Sequence, residues 1–475
     1  MKQPIFNQFA RHQLPFQKVA PISWMVGGSA LVLMVASSVR HLLFQSNGWD
    51  LGIFDQAVYL ISQGNPPMSS LLGFHILGDH AVWMFYPLAI LYRLYPSVYW
   101  LFGVQAIALS GGAIPTRQLA LQAGLTAAQA TAMAGVYLLY PLVFNLNLFD
   151  FHPEVIALPA LLWAVLAARS QRMGWFCFAV LVVLGCKEAL ALTVAAMGIW
   201  LLIFEKQRIY GAIALGSGIL WFMIATQIVI PHFGGSIERH LAMYGALGST
   251  FPEVARQLLH RPWLLLTQIF TIANLIYLCL LFAPVLWGIS LPYLAPLVAA
   301  IPQLAINLLT TTPAQKDLIH QYSLPILPFL LLSVMAAWAA KKTWIQNQRA
   351  ILLWALVAFL ALAKYGYFGS IYLNSLDTWQ ATRAAIAQIH TQGSVLTTHN
   401  IVPHLTHRSQ IQFTLANQSD LDRLRFEYVL LNIRHPGWMS TPEFATDRVT
   451  QLQQNPGFQL LYQQDQVYLF KQKNT

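Results

Sequence analysis

Apolar runs approaching twenty residues recur along most of this chain, separated by short polar connectors. The first extends from about Val19 to Phe44, behind Lys2, Arg11 and Lys18, and reads as a signal anchor with its N-terminus inside. Others cover 97–119, 127–145, 155–168, 174–186, 188–204, 209–230, 264–288, 291–309, 323–340 and 350–371. About twenty apolar residues in helical form span a hydrocarbon core of roughly 30 Å, so the pattern predicts a mainly α, polytopic transmembrane bundle of about eleven spans. Residues 81–94 are too short to cross, carry Pro87 and Arg93, and are read as a re-entrant or interfacial helix. As one straight helix, 174–204 would be roughly 46 Å long. Two helices turning at Cys186-Lys187-Glu188 are predicted instead, which keeps the charged pair out of mid-bilayer.

Past Ile371 charged residues and glutamine become frequent and the period changes. An amphipathic helix through Leu376, Trp379, Ile386 and Ile389 is predicted. Strands follow at 394–398, 411–414 and 428–433, and a hairpin at 458–462 and 467–471. The expected division is therefore a membrane domain over 1–371, with outer loops 45–96, 231–263 and 310–322, and an extracytoplasmic α/β domain over 372–475.

Composition narrows the class. With 57% apolar and only 9% charged residues, this length of chain cannot furnish the polar shell of a soluble enzyme. The net charge of +10 does not gather on one face and does not point to nucleic acid. Arg117, Arg169, Arg172, Lys206, Arg208, Lys341 and Arg349 instead fall in connectors on one side of the predicted bundle, as the positive-inside rule requires. That parity places the N-terminus in the cytoplasm and the C-terminal domain outside a plasma or inner membrane. Cys177, Cys186 and Cys279 lie in apolar runs and imply neither disulfide nor metal.

Nearly all the acids, and every histidine except His12, then collect at the outer boundary. The first outer loop supplies Asp50, Asp55 and Asp79-His80, and the second Asp150-Phe-His152-Pro-Glu154. Lys187-Glu188 form the third, Arg239 and Arg261 lie in the fourth, and Lys316, Asp317, His320 and Tyr322 in the fifth. Each has a bland role beside a chemical one. Asp50 can cap the helix that carries Asp55, and Glu154 after Pro153 is ordinary helix-start chemistry. Lys187 and Glu188 can neutralise each other, or Lys187 can face a phosphate. His320 and Tyr322 can be belt residues, and His80 an imidazole oriented by Asp79. Asp55, in the apolar stretch Gly52-Ile-Phe-Asp, suits a general base. Asp50 and Asp55 converge only if Gly52 breaks the helix between them. The histidine spacings carry no zinc signature, so no cofactor is indicated and a divalent metal is left open.

Trp49-Asp50-Leu-Gly-Ile-Phe-Asp55-Gln56, Phe151-His-Pro-Glu154, Lys187-Glu188, and Pro403-His-Leu-Thr-His-Arg408 with Tyr428-Val-Leu-Leu together resemble domain-of-unknown-function family 2079, a polytopic membrane family similar to the GT-C glycosyltransferases. The resemblance covers Asn47 to Leu431. It implies a sugar transferase that uses a polyprenyl-phosphate-linked donor and an extracytoplasmic acceptor. Asp55 or Asp50 then stands as the catalytic base or positions the acceptor. Substrate and phosphate binding would fall to Lys187, Glu188, Asp150, His152, Glu154, His80, His320, Tyr322, Arg239 and Arg261. The acidic pair is wider here than in many members, which leaves the base and any metal undecided. The competing readings are a transporter or lipid flippase, which would need ionisable groups near the midplane, and a non-catalytic envelope-assembly protein.

Overall fold

The computed structural model describes residues 20–236, 242–244, 248, 250–261, 263–416 and 426–473. Its helices follow the apolar runs. Four continuous helical segments are long and apolar enough to cross a membrane: Pro21–Leu42, Ala127–Phe149, Arg208–His232 and Pro313–Ala339. Gln348–Leu362 with Lys364–Leu373, bent by 40°, makes a fifth. Ala127–Phe149 and Pro313–Ala339 are 83% buried and form the centre of the bundle. Pro21–Leu42 and Arg208–His232 are mostly exposed, which sets their apolar side chains at the lipid-facing periphery.

The chain turns between helices Met173–Leu184 and Leu190–Ile203, at the charged pair. Leu190–Ile203 packs closely on Arg208–Ile224 because small residues face each other. A Cβ on Gly218 would lie 2.6 Å from the Ala195 nitrogen. The predicted interfacial piece is the ten-residue helix Phe85–Leu94, packed on Ile53–Ser62 with Arg93 Nε donating to the Ser62 carbonyl at 3.3 Å. The stretch 264–309 departs from two uninterrupted spans. Helices Trp263–Ile269 and Ile272–Phe282 are separate, and 3-10 turns fill 283–300 before Ile301–Leu309. Pro284, Pro292 and Pro296 account for the turns, since each removes a donor and clashes with the preceding helical turn.

The two ends of the bundle differ in chemistry. At one end Arg169 pairs with Glu205 at 2.8 Å and Gln171 with Gln207 at 2.6 Å, among Arg172, Lys206 and Arg208. Among the described residues, the other acids belong to segments at the opposite end or beyond it.

There the C-terminal mixed sheet docks. A short hairpin, β1 (Met68–Ser69) with β2 (Phe74–His75), precedes it in the chain. The sheet has the order β4-β3-β5-β7-β6, with β3 (Val395–Thr397) parallel to β4 (Ile411–Phe413) and β5 (Tyr428–Asn432). The strands β6 (Phe458–Gln464) and β7 (Val467–Gln472) form the antiparallel hairpin. Alternation gives the sheet two apolar faces. Val395, Ile411, Tyr428 and Leu430 join the core of the membrane bundle, while Leu396, Val429, Leu431 and Phe470 pack around Val449. Val449 lies on a helix the hydropathy pattern had not indicated, Pro442–Gln454. Its start is nevertheless written locally, in the Thr441 cap and Pro442 at the first turn.

A buried carboxylate fastens sheet to bundle. Asp55, 1% exposed, accepts hydrogen bonds from Tyr92 Oη and Thr406 Oγ1, and His407 Nε2 lies 3.2 Å away. The His407 ring stacks on Tyr59 with centroids 4.6 Å apart. Next to it Gln56 Nε2 donates to Ser70 Oγ at 2.8 Å and to the Arg408 carbonyl at 3.1 Å, and the Ile411 N–H donates to Ser70 Oγ at 3.0 Å. His404 stacks on His41 at 3.9 Å.

Asp55→Ala leaves two buried hydroxyls and an imidazole without their acceptor, and is expected to cost about 2–5 kcal/mol. A lowered unfolding temperature, with faster proteolysis between 364 and 378, checks this; an unchanged melt would refute the fastening role. A pH effect follows from His404, whose imidazole burial pushes down to about 4. A histidine held neutral in the fold contributes stability above its unfolded value near 6.5 and loses it as pH falls toward 4. The unfolding temperature is therefore expected to drop across that window, and His404→Phe to flatten the drop.

Candidate functional site

The site is built around one turn. Gly48–Gly52 form a single π-helical turn that runs directly into the helix Ile53–Ser62, so Gly52 does not break the helix. Asp50 and Asp55 consequently diverge. Asp55 points into the sheet–bundle fastening, whereas Asp50 faces Asn47 and His152. π turns of this kind recur where a side chain must be re-aimed.

Asn47 organises the approach to Asp50. Its Oδ1 caps Trp49 N at 2.9 Å, its Nδ2 donates to Asp50 Oδ2 at 3.0 Å, and its own N–H donates to Asp150 Oδ2 at 2.9 Å. Asp150 is bound from its other side by Arg40, whose guanidinium grips both carboxylate oxygens in a fork. Neither Asn47 nor Arg40 was singled out from sequence. Arg40 could have been, because a lone arginine inside the first apolar run requires a partner. Asp150 holds φ at 143°, a region few side chains adopt, and the Arg40 and Asn47 bonds keep it there.

His152 carries the network onward. Its Nε2 lies 3.6 Å from Asp50 Oδ1, a charge contact rather than a hydrogen bond, and its ring stacks on Phe149 with centroids 5.2 Å apart. Burial raises the Asp50 carboxyl, but His152, with smaller contributions from His320 and His399, outweighs it and holds that carboxyl below the usual range. Burial likewise opposes a charge on His152, and Asp50 overcomes it, so the imidazole is raised above its ordinary value.

The cationic part lies alongside. Lys187 pairs with Glu154 at 2.9 Å, not with the adjacent Glu188, and its ammonium sits 5.7 Å from the centroid of Tyr322. Glu188 takes His80, whose Nδ1 is 3.2 Å from both carboxylate oxygens, while Asp79 is farther at 3.8 Å. His320 bonds Asp317 at 2.7 Å and sets its ring edge against Phe149 at 4.3 Å. Charges on Lys187, Asp50 and Glu154 all act on Tyr322. Asp50, Asp150, His152, Glu154, Lys187, Glu188, His80, His320 and Tyr322 thus form one contiguous polar region at one end of the bundle. Arg261 is exposed at the end of helix Phe251–His260, and Arg239 lies outside the described residues. Among the described residues, no three histidine, cysteine or acidic side chains converge in the manner of a metal site.

The sequence profile described as "Predicted membrane protein (DUF2079)" matches residues 40–469, and the chain belongs to that family. A comparison with curated proteins finds no match. Two crystal structures of ArnT from Cupriavidus metallidurans, a GT-C glycosyltransferase, share the fold over nearly the whole chain. The apo structure aligns at TM-score 0.54 and 11% identity, covering 94% of this chain and 97% of ArnT. The structure bound to undecaprenyl phosphate aligns at TM-score 0.50 and 13% identity, covering 95% and 98%.

Lys187→Met is expected to destabilise the protein by about 3–5 kcal/mol, because Glu154 is left buried and unpaired, and Lys187→Met/Glu154→Gln to recover most of that loss. Thermal unfolding of the two variants checks the pairing. Equal instability in both would show that the pair is not what Lys187 contributes to the fold.

Proposed function

We propose that this chain is an integral-membrane transferase of the GT-C kind. It moves a sugar from a polyprenyl-phosphate donor to a hydroxyl acceptor on the outer side of the membrane. The observation that carries this reading is the gathering of Asp50, His152, Lys187, His320 and Tyr322 at one end of the bundle, beside a docked C-terminal sheet. A polyprenyl tail needs apolar helix surface and its phosphate sits at headgroup depth, which in this reading is where these cations and acids meet it. The ArnT-like fold supports the reading, since ArnT has been crystallised with undecaprenyl phosphate. A one-sided polar region favours chemistry at an interface over a transport site near the midplane.

In the proposed step an acceptor hydroxyl attacks the anomeric carbon. The bond from that carbon to the phosphate oxygen breaks, and the polyprenyl phosphate departs with the electron pair. Asp50 orients the hydroxyl and takes its proton, having been kept ionised by His152. Lys187 and His320 offset charge on the departing phosphate. Asp55, whose oxygens are already engaged, holds the machinery together and does not enter the step. The basic connectors at the opposite end support an N-terminus in the cytoplasm and a site outside.

The test uses protein in nanodiscs, undecaprenyl phosphate as probe, and undecaprenyl-phosphate-linked sugars as donors. The wild type is expected to bind the lipid, and Lys187→Met/Glu154→Gln to weaken it at least tenfold. Asp50→Asn is expected to retain binding while release of undecaprenyl phosphate from the donor falls about 100-fold or more. Absence of lipid binding, or wild-type release by Asp50→Asn, would overturn the proposal.

A further inference from the structure

Next to Asp50, the π turn meets the C-terminal ends of the parallel strands β3 and β4. The contact is close: a Cβ on Gly48 would lie 2.6 Å from the His399 carbonyl. Trp49 and Trp438, 40% and 52% exposed, face one another with ring centroids 6.2 Å apart and planes inclined by 43°. Phe413 meets Trp49 edge-on at 6.0 Å, and the His399 ring lies 4.9 Å from Phe413 and 5.8 Å from Trp438. Asp50 lies in the same turn as Gly48 and Trp49, so this aromatic corner and the acid are carried by one element.

Two polar atoms at this corner lack a partner. His399 is 4% exposed; its Nδ1 lies 3.0 Å from Asn400 Oδ1, while its Nε2 is buried without a hydrogen-bond partner. Thr397, fully buried and paired in register with Phe413, presents Oγ1 to the same face of the sheet, also unpartnered. A buried polar atom without a partner costs about 1–3 kcal/mol, so a site that keeps two beside paired tryptophans is arranged for a ligand that satisfies them. Because Asn400 Oδ1 only accepts, Nδ1 carries the proton and Nε2 is an acceptor awaiting an O–H. Burial holds the imidazole below its ordinary value, consistent with the neutral ring. The carboxyl ends of parallel strands are where α/β sheets bind ligands.

We infer that the corner formed by Trp49, Trp438, Phe413 and His399 binds a saccharide, as the acceptor of the proposed transfer. A pyranose ring offers an apolar C–H face for the indoles and hydroxyls for His399 Nε2 and Thr397 Oγ1. The corner itself contributes aromatic rings, a neutral imidazole and hydroxyls, which fits an uncharged polyhydroxyl ligand better than an anion. The arrangement also orders the reaction in space, with donor phosphate on the Lys187 side, acceptor on the His399 side and Asp50 between. Trp438 borders His399 on a loop that turns at Gly437, where φ is 83°. The role of the saccharide as acceptor rests on the transferase reading; its binding does not.

Binding is therefore measured without donor, in nanodiscs free of glycoside detergents, by tryptophan fluorescence and calorimetry. The probes are maltotriose, cellotriose and chitotriose, and diglucosyl-diacylglycerol placed in the nanodisc, which separates a soluble from a lipid-borne saccharide. Saturable binding of any probe is expected. Trp438→Ala and His399→Phe should weaken it at least tenfold, and His399→Gln, which keeps an acceptor, should recover part of the loss at unchanged unfolding temperature. No response to any probe, or a response indifferent to Trp438→Ala and His399→Phe, overturns the inference, the tryptophans then being membrane-belt anchors. Saccharide binding without undecaprenyl phosphate binding would instead leave this site standing and sink the transferase reading.

Discussion

A charge at the edge of a hydrocarbon layer is tolerable only with a partner in place, and this fold is organised by that requirement. Arg40 has Asp150, Lys187 has Glu154, His80 has Glu188, and Asp55 has two hydroxyls and an imidazole. Each pairing joins segments far apart in the chain. Arg40 and Asp150 are separated by 110 positions, and Asp55 and Thr406 by 351. The ion pairs are thus also the registration marks that bring the first span, the second outer loop and the C-terminal sheet to one place.

Asp50 is the exception that gives the end of the bundle its chemical character. Its side chain is 21% exposed, against 0% for Asp150, 5% for Glu154 and 6% for Glu188, and it faces a histidine at 3.6 Å, not an arginine fork. An acid held ionised yet incompletely bonded retains capacity for an incoming hydroxyl, whereas Asp55 and Asp150 have none to spare. Two aspartates five positions apart therefore serve different ends, and the π turn is what separates them.

Much of the architecture was legible locally. The turn at Lys187-Glu188, the short helix near 85–94 and all five strands of the C-terminal sheet follow from hydropathy, period and helix-length arithmetic, because those properties belong to contiguous residues. The break in the stretch 264–309 is also written locally, in Pro284, Pro292 and Pro296 within the apolar run. The helix Pro442–Gln454 was hidden because its polar composition resembles a loop, and only its cap and N-terminal proline mark it.

Sequence by itself determined that this is a helical membrane protein with its acids and histidines gathered at one end and its connector cations at the other. Hydropathy and charge counting suffice for that, since the bilayer imposes the same cost on every residue type wherever it occurs in the chain. Only the tertiary structure decided which acid meets which base: Lys187 with Glu154 in place of its neighbour Glu188, Asp50 with His152, and Asp55 with Thr406 from the far end of the chain. It alone brought His399 and Trp438 beside Trp49. Such partnerships depend on distances of a few ångströms between segments hundreds of residues apart, and no local pattern encodes them.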